Sequence, residues 1–195
     1  MRLVVGLGNP GERYEATRHN VAWRVLDELA RRWQAEVDSR PRLYATRRAR
    51  VARRVVILMQ PLTFMNEAGR ALEAWRLEHP GRLEDLLAVT DDVYLPVGAL
   101  RVRARGSSGG HRGLESIEAA LGSRDFPRLR IGVGEAESGA QLRQHVLDTF
   151  APEQQPAVNE AVRQAADAVE CWLADGIQAA MNRFNRRVRR EVPES

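Results

Sequence analysis

Short, mostly apolar runs divide this chain: LVVGLG at 3–8, VVIL inside 54–60, LLAVT at 86–90 and RIGVG at 130–134. Each is too brief for a helix and rich in Val, Ile or Leu, so each reads as a buried strand. The segments between them have a different period. Val21, Ala22, Val25, Leu26, Leu29 and Trp33 form a helical stripe over 19–33, and Ala68, Leu72 and Trp75 form another over 66–77. Leu114–Leu121 reads as a helix, and 155–183 as a long helical region interrupted near Gly176. The stretches 43–51 and 54–60 suit a hairpin, and Ala99–Arg105 alternates with its arginines on one face. Strands alternating with helices predict an α/β domain with a largely parallel or mixed sheet. A length of 195 residues suits one core. A single domain over 1–185 is expected, followed by a charged tail over 186–195 that frays.

The composition excludes some classes. No apolar run reaches the ~20 residues that cross a bilayer, and Met1-Arg2-Leu3-Val4 enters a strand with no signal-peptide pattern. Cys171, the only cysteine, leaves no internal disulfide, and Val169, Trp172 and Leu173 beside it suggest a buried thiol. Together these predict a cytoplasmic protein. The net charge is +4, and all 30 basic residues are arginine. A GC-rich genome accounts for arginine usage without invoking function. Guanidinium groups also bind phosphate bidentately, which makes a nucleic-acid partner a reasonable expectation.

Gly6-x-Gly8-x-x-Gly11 has dinucleotide-binding spacing, but that motif needs a helix opening at its glycines. Pro10 interrupts it, the helical stripe starts near His19, and the acidic residues about 20 positions on, Asp27 and Glu28, fall mid-helix. The glycines are read instead as a tight turn that brings backbone close to a neighbour.

Polar residues gather at predicted strand ends, where α/β proteins build sites. Asn9 follows the first strand, Arg18-His19-Asn20 opens the first helix, and Phe64-Met65-Asn66 follows VVIL. Asp91-Asp92 follows LLAVT, and Ser107-Ser108-Gly109-Gly110-His111-Arg112-Gly113 follows the arginine strand. A histidine, a carboxylate and several amides suit a water-activating hydrolase. The imidazole takes a proton from water. A carboxylate fixes its tautomer, and an amide donates to the oxyanion.

The segments GLGNPGERYEATRHN, QPLTFMNEAG, TDDVYLPVG, RGSSGGHRGLESI, RLRIGVG, VLDTFAPEQ and AMNRFN resemble, in order and spacing, the motif series of bacterial peptidyl-tRNA hydrolases across residues 3–185. The resemblance implies a single α/β domain with a mixed twisted sheet flanked by helices, and a monomer without metal or cofactor. It also implies an enzyme of translation and ribosome rescue that cleaves the ester between a peptide and the tRNA 3′ ribose. By motif, His19 is the general base, Asp91 its orienting partner, and Asn66 the oxyanion donor. Asn9 and His111 contact the peptide or the tRNA 3′ end, and Tyr14, Asn20, Phe64 and Met65 line the cleft. Arg103, Arg105 and Arg130 suit phosphates of the acceptor stem, and 138–150 resembles a mobile lid. In two places the chain departs from the family. Arg112 stands where the family commonly has a substrate-contacting asparagine, and Tyr94 where it has an acidic residue.

Read without the resemblance, these residues have plainer roles. Asp91 suits a turn or cap, Asn66 a helix N-cap, Asn9 a turn. His111 suits either binding or a glycine-rich turn, and the arginine strand suits a solvated face. His79 and His145 read as surface or lid residues. The alternative overall function is an RNA-binding or splicing-associated relative without catalysis. Joint presence of His19, Asp91 and Asn66 favours the enzyme.

Overall fold

The computed structural model describes residues 1–38, 43–135 and 140–185. The expected tail over 186–195 lies outside them. Seven strands form one mixed sheet: β1 (Arg2–Gly6), β2 (Glu36–Val37), β3 (Tyr44–Val51), β4 (Arg54–Pro61), β5 (Leu86–Asp92), β6 (Leu100–Arg103) and β7 (Arg128–Gly132). Their order is β2-β3-β4-β1-β5-β7-β6. β1 pairs in parallel with β4 and β5, and β5 with β7; β2 with β3, β3 with β4 and β6 with β7 are antiparallel.

Alternation along the central strands divides the interior between the two faces of the sheet. Val4, Val56, Leu58, Leu87 and Val89 pack with α1 (Val21–Trp33), α5 (Gln155–Asp175) and α6 (Ile177–Phe184). Leu3, Val5, Ile57, Met59, Leu86 and Ala88 pack with α2 (Ala68–Glu78) and α3 (Arg112–Leu121). A further helix, α4 (Ala140–Leu147), precedes α5. No helix among the described residues is long and apolar enough to cross a membrane.

The expected elements are present, with shifted ends. The break near Gly176 separates α5 from α6, and Gly176 sits there at φ 86°. β6 pairs over four residues only, as an edge strand, because its one neighbour is β7. β2 has no sequence signature, since two residues show no period, and pairing with β3 alone defines it. The glycine turn serves packing. A Cβ on Gly8 would lie 2.6 Å from the Trp23 ring, and Trp23 Nε1 donates to the Gly6 carbonyl at 3.0 Å. Close approach of α1 to β1, and not a phosphate cradle, explains these residues.

β1 connects through α1 to β2, β3 and β4 on one side of it, and β4 connects through α2 to β5 on the other, so the connections run in opposite directions about β1. Such a switch point opens a crevice beyond the strand ends. Asn9, the Phe64-Met65-Asn66 turn and Asp91 all fall there.

Candidate active site

Asp91 is the penultimate residue of β5 and 2% exposed. Its Oδ1 lies 2.8 Å from His19 Nδ1 and 2.9 Å from His111 Nε2. Burial works against its ionisation, yet the two imidazoles hold its carboxyl below the usual carboxylate range. Burial likewise opposes protonation of His19, but the Asp91 charge and hydrogen bond outweigh it and raise His19 above its ordinary value. With Nδ1 donating to Asp91, the other ring nitrogen of His19 has no hydrogen-bond partner among the described residues, and His19 lines a cleft of about 470 Å³.

The neighbours of His19 hold it in place. It lies in a 3-10 turn, Arg18–Asn20, immediately ahead of α1. Arg18 donates to the Val133 carbonyl and to Gln154 Oε1, each at 3.0 Å, and its guanidinium lies over the Phe150 ring. Asn20 grips the Asn9 backbone from both sides, accepting from its N–H at 2.8 Å and donating to its carbonyl at 2.9 Å. Asn20 was expected to line the cleft. It is 1% exposed instead, with both ends of its amide turned to the Asn9 backbone and not to the cleft.

Asn9 is itself buried, and its Oδ1 accepts from Met65 N–H at 2.8 Å. Its amide NH₂ is the polar group it can still offer, and Asn9 lines the cleft. Asn66 lines the same cleft from an exposed position. It does not act as a helix N-cap: Phe64 and Glu67 occupy the cap positions there, neither with a side-chain cap bond. Tyr14, Phe64 and Met65 form one wall, with the Tyr14 and Phe64 rings edge to face at 6.5 Å.

His111 is the N-cap of α3. Its Nδ1 accepts from Leu114 N–H at 3.2 Å, while Nε2 faces Asp91 Oδ1 and, at 2.6 Å, Thr90 Oγ1. Sequence reasoning placed His111 against substrate and missed this contact, since nothing in a glycine-rich loop signals a carboxylate 20 residues upstream. His19, Asp91 and His111 are a donor set of metal-ligand type. A metal-bound histidine, however, donates its second ring N–H to an acceptor, whereas the second nitrogen of His111 accepts one.

The arginines separate into two groups. Arg103 and Arg105 are exposed at and beyond the edge strand β6 and do not line the cleft. Arg112 is exposed at the start of α3, lines the cleft and has no ion pair among the described residues. Arg130 lines the cleft but is engaged within the protein: it donates to Asp92 Oδ2 at 3.0 Å and to the carbonyls of Ser107 and Ser108 at 3.1 and 2.6 Å. It braces the glycine loop and does not present a free fork. Tyr94 is exposed on the rim. Leu142, Arg143, Val146 and Leu147 of α4 cover the cleft, an arrangement sequence reasoning reached only as a lid over 138–150, of which 138–139 lie outside the described residues. His145 ties α4 to the Val133 carbonyl at 3.1 Å, and His79 stacks on Trp75 away from the cleft.

Known proteins share this fold and sequence. The sequence profile of the family described as "Peptidyl-tRNA hydrolase" matches residues 3–192. The peptidyl-tRNA hydrolase of Syntrophomonas wolfei is 44% identical over 185 residues, covering 95% of this chain and all of its own. That of Symbiobacterium thermophilum is 45% identical over 186 residues, covering 94% of this chain and 98% of its own. The crystal structure of peptidyl-tRNA hydrolase from Acinetobacter baumannii superposes with a TM-score of 0.89 at 30% identity, covering 95% of this chain and 94% of that one. With a family profile matching residues 3–192 and relatives 44–45% identical over nearly the whole chain, the chain belongs to the peptidyl-tRNA hydrolase family.

Proposed function

We propose that this chain hydrolyses the ester joining a peptide to the 3′ ribose of tRNA, freeing tRNA from peptidyl-tRNAs shed by stalled ribosomes, with His19 as general base. The carrying observation is the 2.8 Å bond from His19 Nδ1 to Asp91 Oδ1, which orients the imidazole and leaves Nε2 for the cleft. Nε2 takes a proton from water as the water oxygen attacks the ester carbonyl. The Asn66 amide donates to the developing oxyanion, and the Asn9 amide NH₂ holds the peptide backbone. As the tetrahedral intermediate collapses, the ribose 3′ oxygen leaves and takes the proton back from the imidazolium. Asp91 stabilises that imidazolium throughout.

Tyr14, Phe64 and Met65 supply the apolar wall for the acyl group. Arg103 and Arg105, exposed and unpaired among the described residues, suit phosphates of the acceptor stem, and Arg112 suits one nearer the 3′ end. Phosphate contacts carry little base information, which fits a substrate set of many tRNAs. The reaction uses a monomer in the cytoplasm and neither metal nor cofactor. The test is release of free tRNA from diacetyl-lysyl-tRNA in EDTA, wild type beside His19→Ala. Cleavage by the wild type and a loss of about 10²–10⁴ in the folded variant is expected. Tight tRNA binding without cleavage by the wild type would establish the RNA-binding alternative.

A further inference from the structure

Two imidazoles meet on one oxygen of Asp91, and mechanism accounts for only one of them. The second, His111, is fixed from both ends. The first turn of α3 directs Leu114 N–H at its Nδ1, so in the neutral ring the hydrogen resides on Nε2. That nitrogen lies 2.9 Å from Asp91 Oδ1 and 2.6 Å from Thr90 Oγ1. The Thr90 hydroxyl directs its own hydrogen toward the Asp91 carbonyl oxygen at 3.3 Å, so toward His111 it accepts. The His111 side chain is 9% exposed and cannot turn away without breaking the cap and both hydrogen bonds.

We propose that His111 is a positioning residue for the hydrolysis: by donating to Asp91 Oδ1 it limits how strongly that carboxylate draws a proton onto His19. A carboxylate bonded to His19 alone would stabilise the imidazolium more and leave less of the base free at neutral pH. A second N–H on the same oxygen shares its charge. General bases work best when their affinity for protons lies near the working pH, and His111 keeps His19 in that range while fixing the carboxylate.

Other charges around the cleft do not explain this role. Asp92 is paired with Arg130. Arg112 on α3, Arg143 on α4, Tyr14 and Tyr94 line the cleft without hydrogen-bonding to His19 or His111. The assignment rests on His19 being the base, so its test needs a readout independent of turnover.

His111→Asn separates the two functions of the ring. Asparagine is a preferred N-cap and can accept from Leu114 N–H, but it is too short to reach Asp91. His111→Ala loses both contacts. The measurement is the titration of the His19 Cε1–H resonance in the free protein, together with the acid limb of kcat/KM on diacetyl-lysyl-tRNA. In both variants the His19 titration and the acid limb should move upward together, by roughly one pH unit for loss of a hydrogen bond to a charged group. His111→Asn should melt near the wild type and His111→Ala below it. A higher KM with the His19 titration unmoved would overturn the proposal and make His111 a substrate contact. If His19→Ala hydrolyses substrate at the wild-type rate, the base assignment fails, whatever the resonance titration reports.

Discussion

Asp91→Asn removes the charge from the centre of the site while keeping its shape. The amide oxygen can still accept from His19 Nδ1, so the ring keeps its orientation; what is lost is the charge opposite a developing imidazolium. A hydrogen bond to a charged group contributes about 1.5–3 kcal/mol, more than a neutral one by roughly a factor of two. At 2.8 Å and 2% exposure the Asp91 contact belongs at the upper end of that range. Because the amide keeps a neutral hydrogen bond, the loss from the transition state is the difference, about 1–1.5 kcal/mol, which lowers kcat/KM by roughly five- to 13-fold at a pH where His19 is free in both proteins. The pH dependence has a definite sign. In the wild type Asp91 raises His19 above its ordinary value against the effect of burial. With the charge gone, burial remains and favours the neutral ring, so the acid limb of kcat/KM moves to lower pH as the plateau falls. The assay is kcat/KM on diacetyl-lysyl-tRNA from pH 5 to 9 (roughly the window in which imidazole titrates), with the His19 resonance followed in parallel. An acid limb that stays in place or rises would refute the reasoning, whatever the loss of rate.

Asn66→Ala should lower kcat by about 10²–10³ with little change in melting temperature, because the side chain is exposed and makes no bond within the described residues; intact turnover would remove it from the mechanism. Arg103→Ala and Arg105→Ala should each weaken tRNA binding and flatten the slope of log K against log salt by about one unit, which a salt titration of binding checks. Gly8→Ala forces a methyl group against the Trp23 ring and near Asn20 Oδ1. It should destabilise the fold by about 1–3 kcal/mol, read from denaturant unfolding. Activity should fall with it, since Asn20 is what holds Asn9.

The architecture was legible where residues repeat with a period. Val4, Leu58 and Leu87 facing one core and Leu3, Ile57 and Leu86 the other follow directly from alternation along buried strands. The break at Gly176 was legible because glycine readily takes the positive φ needed there. The site was legible as a set of polar residues at strand ends, and its roles came from resemblance. What stayed hidden were choices among partners. Asn9, Asn20 and Asn66 are the same chemical group in sequence, yet one is buried with its oxygen engaged, one clamps backbone and one is exposed to the cleft. Arg130 and Arg112 look equally free until Asp92 and two carbonyls are seen to hold the first. Such differences are set by contacts between residues far apart in sequence, as in the meeting of His19, Asp91 and His111.

The roles given to Asp91 and His111 make opposite claims about one titration, and this tests them together. Removing the Asp91 charge lowers the proton affinity of His19; removing the His111 donor raises it. The two imidazole rings lie 5.2 Å apart, tilted by 55°, and share no hydrogen bond. If His111 acts on His19 through the carboxylate alone, its effect vanishes once the carboxylate is gone. In an Asp91→Asn background, His111→Asn should therefore leave the His19 titration where the first substitution put it, and the coupling in the double-mutant cycle should equal the whole of the single effect. An upward shift of the same size persisting without the Asp91 charge would show that His111 reaches His19 by a direct route, and the carboxylate would then not be the element that sets the base.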